Sequence, residues 1–153
     1  MRLVEPDETV PAEQSNAGEN DQEGAFSSGL PSFNEVPGKF PHEKLDAYQV
    51  ALAMARGAKA VAQQVPRGHR SIADHLLRSS SNAVLLLAEG ANRRGAAEKR
   101  QRFVESRGET AEAAAACDLV IALELGAEAK AETVKNLAAR VSAMLTGLIQ
   151  RLG

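Results

Sequence analysis

From Phe40 onward the apolar positions recur every three or four residues, and their stripes separate four helical segments. The first spans about His42 to Gln64. Leu45, Tyr48, Ala51, Leu52, Ala55, Ala58 and Ala62 share one side, and Val50, Met54, Val61 and Val65 widen it beyond a single bundle seam. Pro66 and Gly68 stop it. The second spans about Ser71 to Glu89, with Ser71 expected as N-cap and Asp74 three residues on. Its core side is Ile72, Leu76, Ala83 and Leu87, and His75, Arg78, Asn82 and Glu89 form a polar strip elsewhere on the wheel. Leu85 and Leu86 fall outside the core stripe.

The third segment, about Ala96 to Leu125, changes character along its length. Lys99 to Arg107 is charged, with Phe103 between Lys99 and Arg107 on the wheel rather than on a clean apolar face. Ala111 to Ala116 is nearly all alanine, and Leu119 to Leu125 is apolar in almost every direction. The fourth, about Ala129 to Leu152, has the cleanest stripe: Val134, Leu137, Ala138, Val141, Met144, Leu145, Leu148, Ile149 and Leu152. Four helices joined by short connections predict an all-α, antiparallel up-down four-helix bundle over 40–153. The broad stripes of the first and third helices exceed what one bundle covers, which predicts a homo-oligomer.

Composition supports helices: 44% of the residues are hydrophobic but only 3% aromatic, so alanine and leucine dominate. Charge divides the chain. Residues 1–39 hold eight acids against two bases, a net −6, which leaves +4 for the rest of a chain whose formal charge is −2. With Pro6, Pro11, Pro31 and Pro37 and few branched apolar residues, 1–39 is expected to be a disordered acidic tail. The N-terminus lacks the apolar stretch of a signal peptide, no run approaches the ~20 apolar residues of a membrane span, and Cys117 is the single cysteine. The expected setting is the cytoplasm, with no membrane contact.

Enzymatic chemistry finds little footing. No Glu-x-x-His pair is present for a carboxylate-bridged metal site, and Glu105, Glu109 and Glu112 read as a solvated acidic face. Cys117 sits in AAAACDLV, an apolar setting that raises a thiol pKa. Ser79, Ser80 and Ser81 lie on a helix, where hydroxyls are usually structural. Phosphate loops, dinucleotide fingerprints and zinc patterns are lacking. The chain is therefore read as a non-enzyme with no catalytic residues, no metal and no cofactor.

What stands out is LLLAEGANRRGAAEKRQRF, Leu85 to Phe103. Glu89 near a helix C-terminus opposes the backbone dipole, and Arg93 and Arg94 are placed to compensate it if the turn continues past Gly90. Arg78 shares the azimuth of Glu89 three turns earlier, and Arg78, Glu89 and Gly90 are assigned structural roles. The cluster Arg93, Arg94, Lys99, Arg100, Arg102 and Arg107 faces only Glu98 and Glu105 nearby, a composition suited to nucleic-acid phosphates.

Leu45-Asp46-Ala47-Tyr48, Arg78, Ala88-Glu89-Gly90 followed by Arg93, and Arg107-Gly108 with Glu112 stand in an order that resembles a known family. It is that of the four-helix-bundle proteins encoded in 23S ribosomal RNA intervening sequences, itself similar to the accessory variability determinant of diversity-generating retroelements. The resemblance covers about Phe40 to Leu152. It implies a pentameric barrel of up-down bundles and, for the retroelement members, binding of nucleic acid and a reverse transcriptase. Two functions are thus expected: RNA or DNA binding through the basic cluster, or a structural adaptor that binds a protein partner such as a reverse transcriptase.

Overall fold

The structure, a computed structural model, describes residues 39–153. The acidic tail expected over 1–39 lies, but for Lys39, outside the described residues. A short 3-10 turn, Pro41–Lys44, leads into α1 (Asp46–Ala62). A second such turn, Arg67–His69, leads into α2 (Arg70–Asn92), followed by α3 (Ala96–Ala122) and α4 (Glu128–Arg151). There is no strand among the described residues.

Four boundaries differ from the sequence expectation. The first helix starts at Asp46, four residues after His42, because Pro41–Lys44 forms a 3-10 turn. Ser71 is not the N-cap, because the turn Arg67–His69 runs straight into α2 and leaves Ser71 inside the helix. At its other end α2 continues past Glu89 and Gly90 to Asn92. The third helix stops at Ala122, three residues early, where Glu124 takes a φ of 52° and Gly126 one of 83° to turn the chain into α4. Glycine adopts such a φ freely, whereas a side chain disfavours it.

Each helix packs on its neighbours in sequence, and α1 closes the ring against α4. The direction of packing is visible at α2 and α3, where His75 meets Glu112, Asn82 meets Glu109 and Glu89 meets Arg102. Numbers rise on one helix as they fall on the other, so the pair is antiparallel. The core forms two layers along the bundle axis. One layer holds Met54, Val61, Leu76, Cys117, Val120 and Val134. The other holds Ala51, Leu87, Phe103, Val141, Leu145 and Ile149, beneath the end where α2 passes into α3.

Small side chains let α3 approach α2 closely. Ser79 and Ser80 are buried and donate to the carbonyls of His75 and Leu77, at 2.9 and 3.1 Å, so their hydroxyls stay inside helix α2. Ser106 donates across the interface to the Ala83 carbonyl at 2.7 Å, which pins the register of the two helices. Thr110 donates to the Ser106 carbonyl at 2.8 Å. Every buried side-chain polar atom among the described residues has a partner.

Candidate functional site

The extension of α2 to Asn92 answers the question raised by Glu89. Its carboxylate lies one turn inside the helix and accepts from Arg93 Nη2, with Arg102 Nε of α3 at 3.2 Å. Arg102 also reaches Glu105 through Nη1 at 2.5 Å, and Gln101 Nε2 donates to the same carboxylate at 2.8 Å. The hydrogen bond from Arg93, and then the charge of Arg102, hold the Glu89 carboxyl below the usual value of 4.5. Glu105 is likewise held low, first by Gln101 and then by Arg102.

Farther along the seam, Asn82 Nδ2 donates to Glu109 at 3.2 Å and His75 Nε2 lies 3.2 Å from Glu112. The solvated acidic face expected at Glu105, Glu109 and Glu112 is therefore the α3 side of a polar seam, facing the polar strip of α2. Arg78 does not reach Glu89; its Nη2 lies 2.8 Å from His75 Nδ1 on its own helix. Gly90 provides close approach. A Cβ there would meet Phe103 Cδ1 and Cε1 at 2.8 Å. Phe103 itself is 4% exposed, a core residue rather than a member of the charged surface. Phe103 begins the inward stripe Ser106, Thr110, Ala113, Cys117 and Val120, and the wheel misplaced it because the next two positions of that stripe are polar residues buried by their hydrogen bonds.

The six cations singled out in the sequence do not form one surface. Arg93 and Arg102 are held by the seam carboxylates. Arg107 turns toward α4, where its Nη1 donates to Thr146 Oγ1 at 3.1 Å. Arg94, Lys99 and Arg100 have no acidic partner among the described residues. Arg94 and Arg100 are exposed and Lys99 is half-buried. Sequence reasoning missed two further cations, Lys44 and Arg151, which are likewise without an acidic partner. They lie at the two ends of the folded segment, and the up-down topology returns both to the end where α3 begins. Both line one groove with Lys99.

At the other end of the bundle Lys135 of α4 bonds Asp118 of α3 at 2.7 Å, so that cation is neutralised. Cys117 is buried, and burial pushes its thiol up to about 11, protonated at neutral pH. Among the described residues no three His, Cys, Asp or Glu side chains converge as a metal site would require. No described helix is long and apolar enough to cross a membrane.

A family model described as 23S rRNA-intervening sequence protein matches residues 43–147. The match takes in α1, α2, α3 and most of α4, and so the polar seam and the basic end apart from Arg151. Comparison with curated proteins finds no match.

Proposed function

The chain belongs to the 23S rRNA-intervening sequence protein family, and from that premise we propose that it is a non-enzymatic, homo-oligomeric bundle that contacts RNA or DNA phosphates with its basic end. The observation that carries this reading is the gathering of Arg94, Lys99, Arg100, Lys44 and Arg151 at one end without acidic partners among the described residues. Unpaired cations on a surface lose little by exchanging water for phosphate, and the release of counterions drives the exchange. The family's name points to the ribosomal RNA gene in which such proteins are encoded and leaves the ligand open. Phe103 is buried and unavailable to stack on a base, and the exposed aromatic at this end is Phe40, stacked on His42; the contact proposed for the cations is to the phosphate backbone.

The test is binding of the full chain to structured RNA and duplex DNA at two salt concentrations, with mass measured in the same buffers. Changing Arg94, Lys99 and Arg100 together to Gln is expected to weaken binding and to reduce the salt slope by about 3, roughly one per lost phosphate contact. Arg93 and Arg102 are left in place because they hold the α2–α3 seam. Affinity and slope that survive the triple change overturn the assignment.

A second reading, a structural adaptor for a protein partner, is favoured by a different observation. Leu85 is 66% exposed, and Leu119 and Leu123 are each 49% exposed, apolar area that a partner or a second copy would cover. An oligomer that binds neither nucleic acid would turn the search to that partner.

A further inference from the structure

A groove of about 420 Å³ opens at the basic end, and all four helices or their flanking turns contribute to it. Its floor is apolar, with Leu45 before α1, Phe103 of α3 and Leu148 of α4. Its rim carries Lys44, Lys99 and Arg151, and no carboxylate lines it. None of the three cations has an acidic partner among the described residues. The lining also lacks any side-chain amide or hydroxyl, so its polar side-chain groups are all cationic donors.

We propose that this groove binds a medium-chain aliphatic carboxylate, with the carboxylate on the Lys44–Lys99–Arg151 rim and the hydrocarbon on the leucine floor. A lone carboxylate on exposed lysines gains little in water, and a lone alkyl chain finds only an open groove. The two together fit a largely apolar site with a few placed polar groups. The volume holds on the order of 14 water-sized groups, the scale of such a ligand. The groove adjoins a furrow of about 350 Å³ between α1 and α4, and the two share Lys44, Leu45, Leu148 and Arg151. Gly147 lines the furrow, and a Cβ added there would meet nothing within 4 Å, so the space is open. Asp46 also lines the furrow, which directs the hydrocarbon there and the carboxylate toward Lys99. This inference shares Lys44, Lys99 and Arg151 with the nucleic-acid reading and differs from it in needing the apolar floor and not Arg94 or Arg100.

The test is calorimetric titration of the full chain at low salt with decanoate, decanol, decyltrimethylammonium and adenosine monophosphate, all below micelle formation. Decanoate is expected to bind at least tenfold more tightly than decanol, and the cation not at all. The double change Lys99→Gln and Arg151→Gln is expected to weaken decanoate at least tenfold, while Lys59→Gln in the last turn of α1 leaves it unchanged. Gly147→Leu, which fills the furrow without touching charge, is expected to weaken decanoate more than hexanoate, and circular dichroism confirms that each variant is folded. Absence of decanoate binding, equal binding of all three amphiphiles, or tighter binding of adenosine monophosphate overturns the proposal. So does decanoate binding that occurs only with a change in mass, which would assign the groove to a second copy.

Discussion

Gly90 and Phe103 meet where the α2–α3 pair is tightest, and a single carbon decides whether they fit. In Gly90→Ala the new Cβ would lie 2.8 Å from two ring carbons of Phe103 and 3.1 Å from Arg102 Cβ. The ring is buried, so it cannot swing into solvent. Alanine recovers about 1 kcal/mol of helix propensity, and overpacking costs about 1–3 kcal/mol. The expected outcome is a loss of about 1 kcal/mol, read from chemical denaturation. Gly108→Ala, on the same helix as Phe103 with nothing within 4 Å of the added Cβ, is expected to gain up to about 1 kcal/mol. If both substitutions moved stability the same way, close approach would not be what Gly90 provides.

Helices α2 and α3 are joined by a seam more polar than the rest of the interior, and its carboxylates make it sensitive to acid. Glu89 and Glu105 titrate below their ordinary value in the folded chain, held by Arg93 and by Gln101 respectively, with Arg102 between them. A carboxyl with a depressed folded pKa contributes stability above its unfolded value, and that contribution is lost as pH falls through the folded value. Stability is therefore expected to be level above about pH 5 and to decline below 4.5, the unperturbed value. Glu89→Gln should be less stable than the parent at neutral pH and show a shallower decline in acid. Denaturation midpoints at a series of pH values check this, and parallel curves for the two proteins would remove Glu89 from the linkage.

At the scale of the whole molecule, the closed bundle leaves exposed, among the described residues, a basic end, Phe40 ahead of α1, and leucines on α2 and at the end of α3. Leu119 and Leu123 lie one turn apart near the end of α3, and both are half exposed. The polar seam ends beside them, with Leu119 bordering a shallow depression that also contains His75 and Ile72. If the chain assembles as proposed, changing Leu119 and Leu123 together to Glu is expected to reduce the mass in solution, measured by light scattering, while leaving helicity unchanged; a parent chain of monomer mass overturns the proposed assembly. An unchanged oligomer would place its interface elsewhere, with Leu85 on the outer side of α2 the next residue to change.

The helices, their order and most of their inward faces were legible in the residues, because a 3.6-residue period is a local property that spacing records directly. The pairing of Glu89 with Arg93 was legible for the same reason, as Arg93 caps the helix one turn after Glu89. Family membership was legible too, in short motifs whose order survives without any contact being known. What remained hidden were relations through space. Phe103 looked like part of a charged face until α2 placed Gly90 against it, and Arg102 and Arg107 looked like partners of Arg100 until α2 and α4 claimed them. Lys44, Lys99 and Arg151 stand more than 50 residues apart along the chain, and only the return of the up-down bundle to one end makes them neighbours. By itself the sequence determined where helices form and which side they bury. The tertiary structure decided which charges are neutralised and which are left for a ligand, because that depends on what each side chain meets across a helix interface.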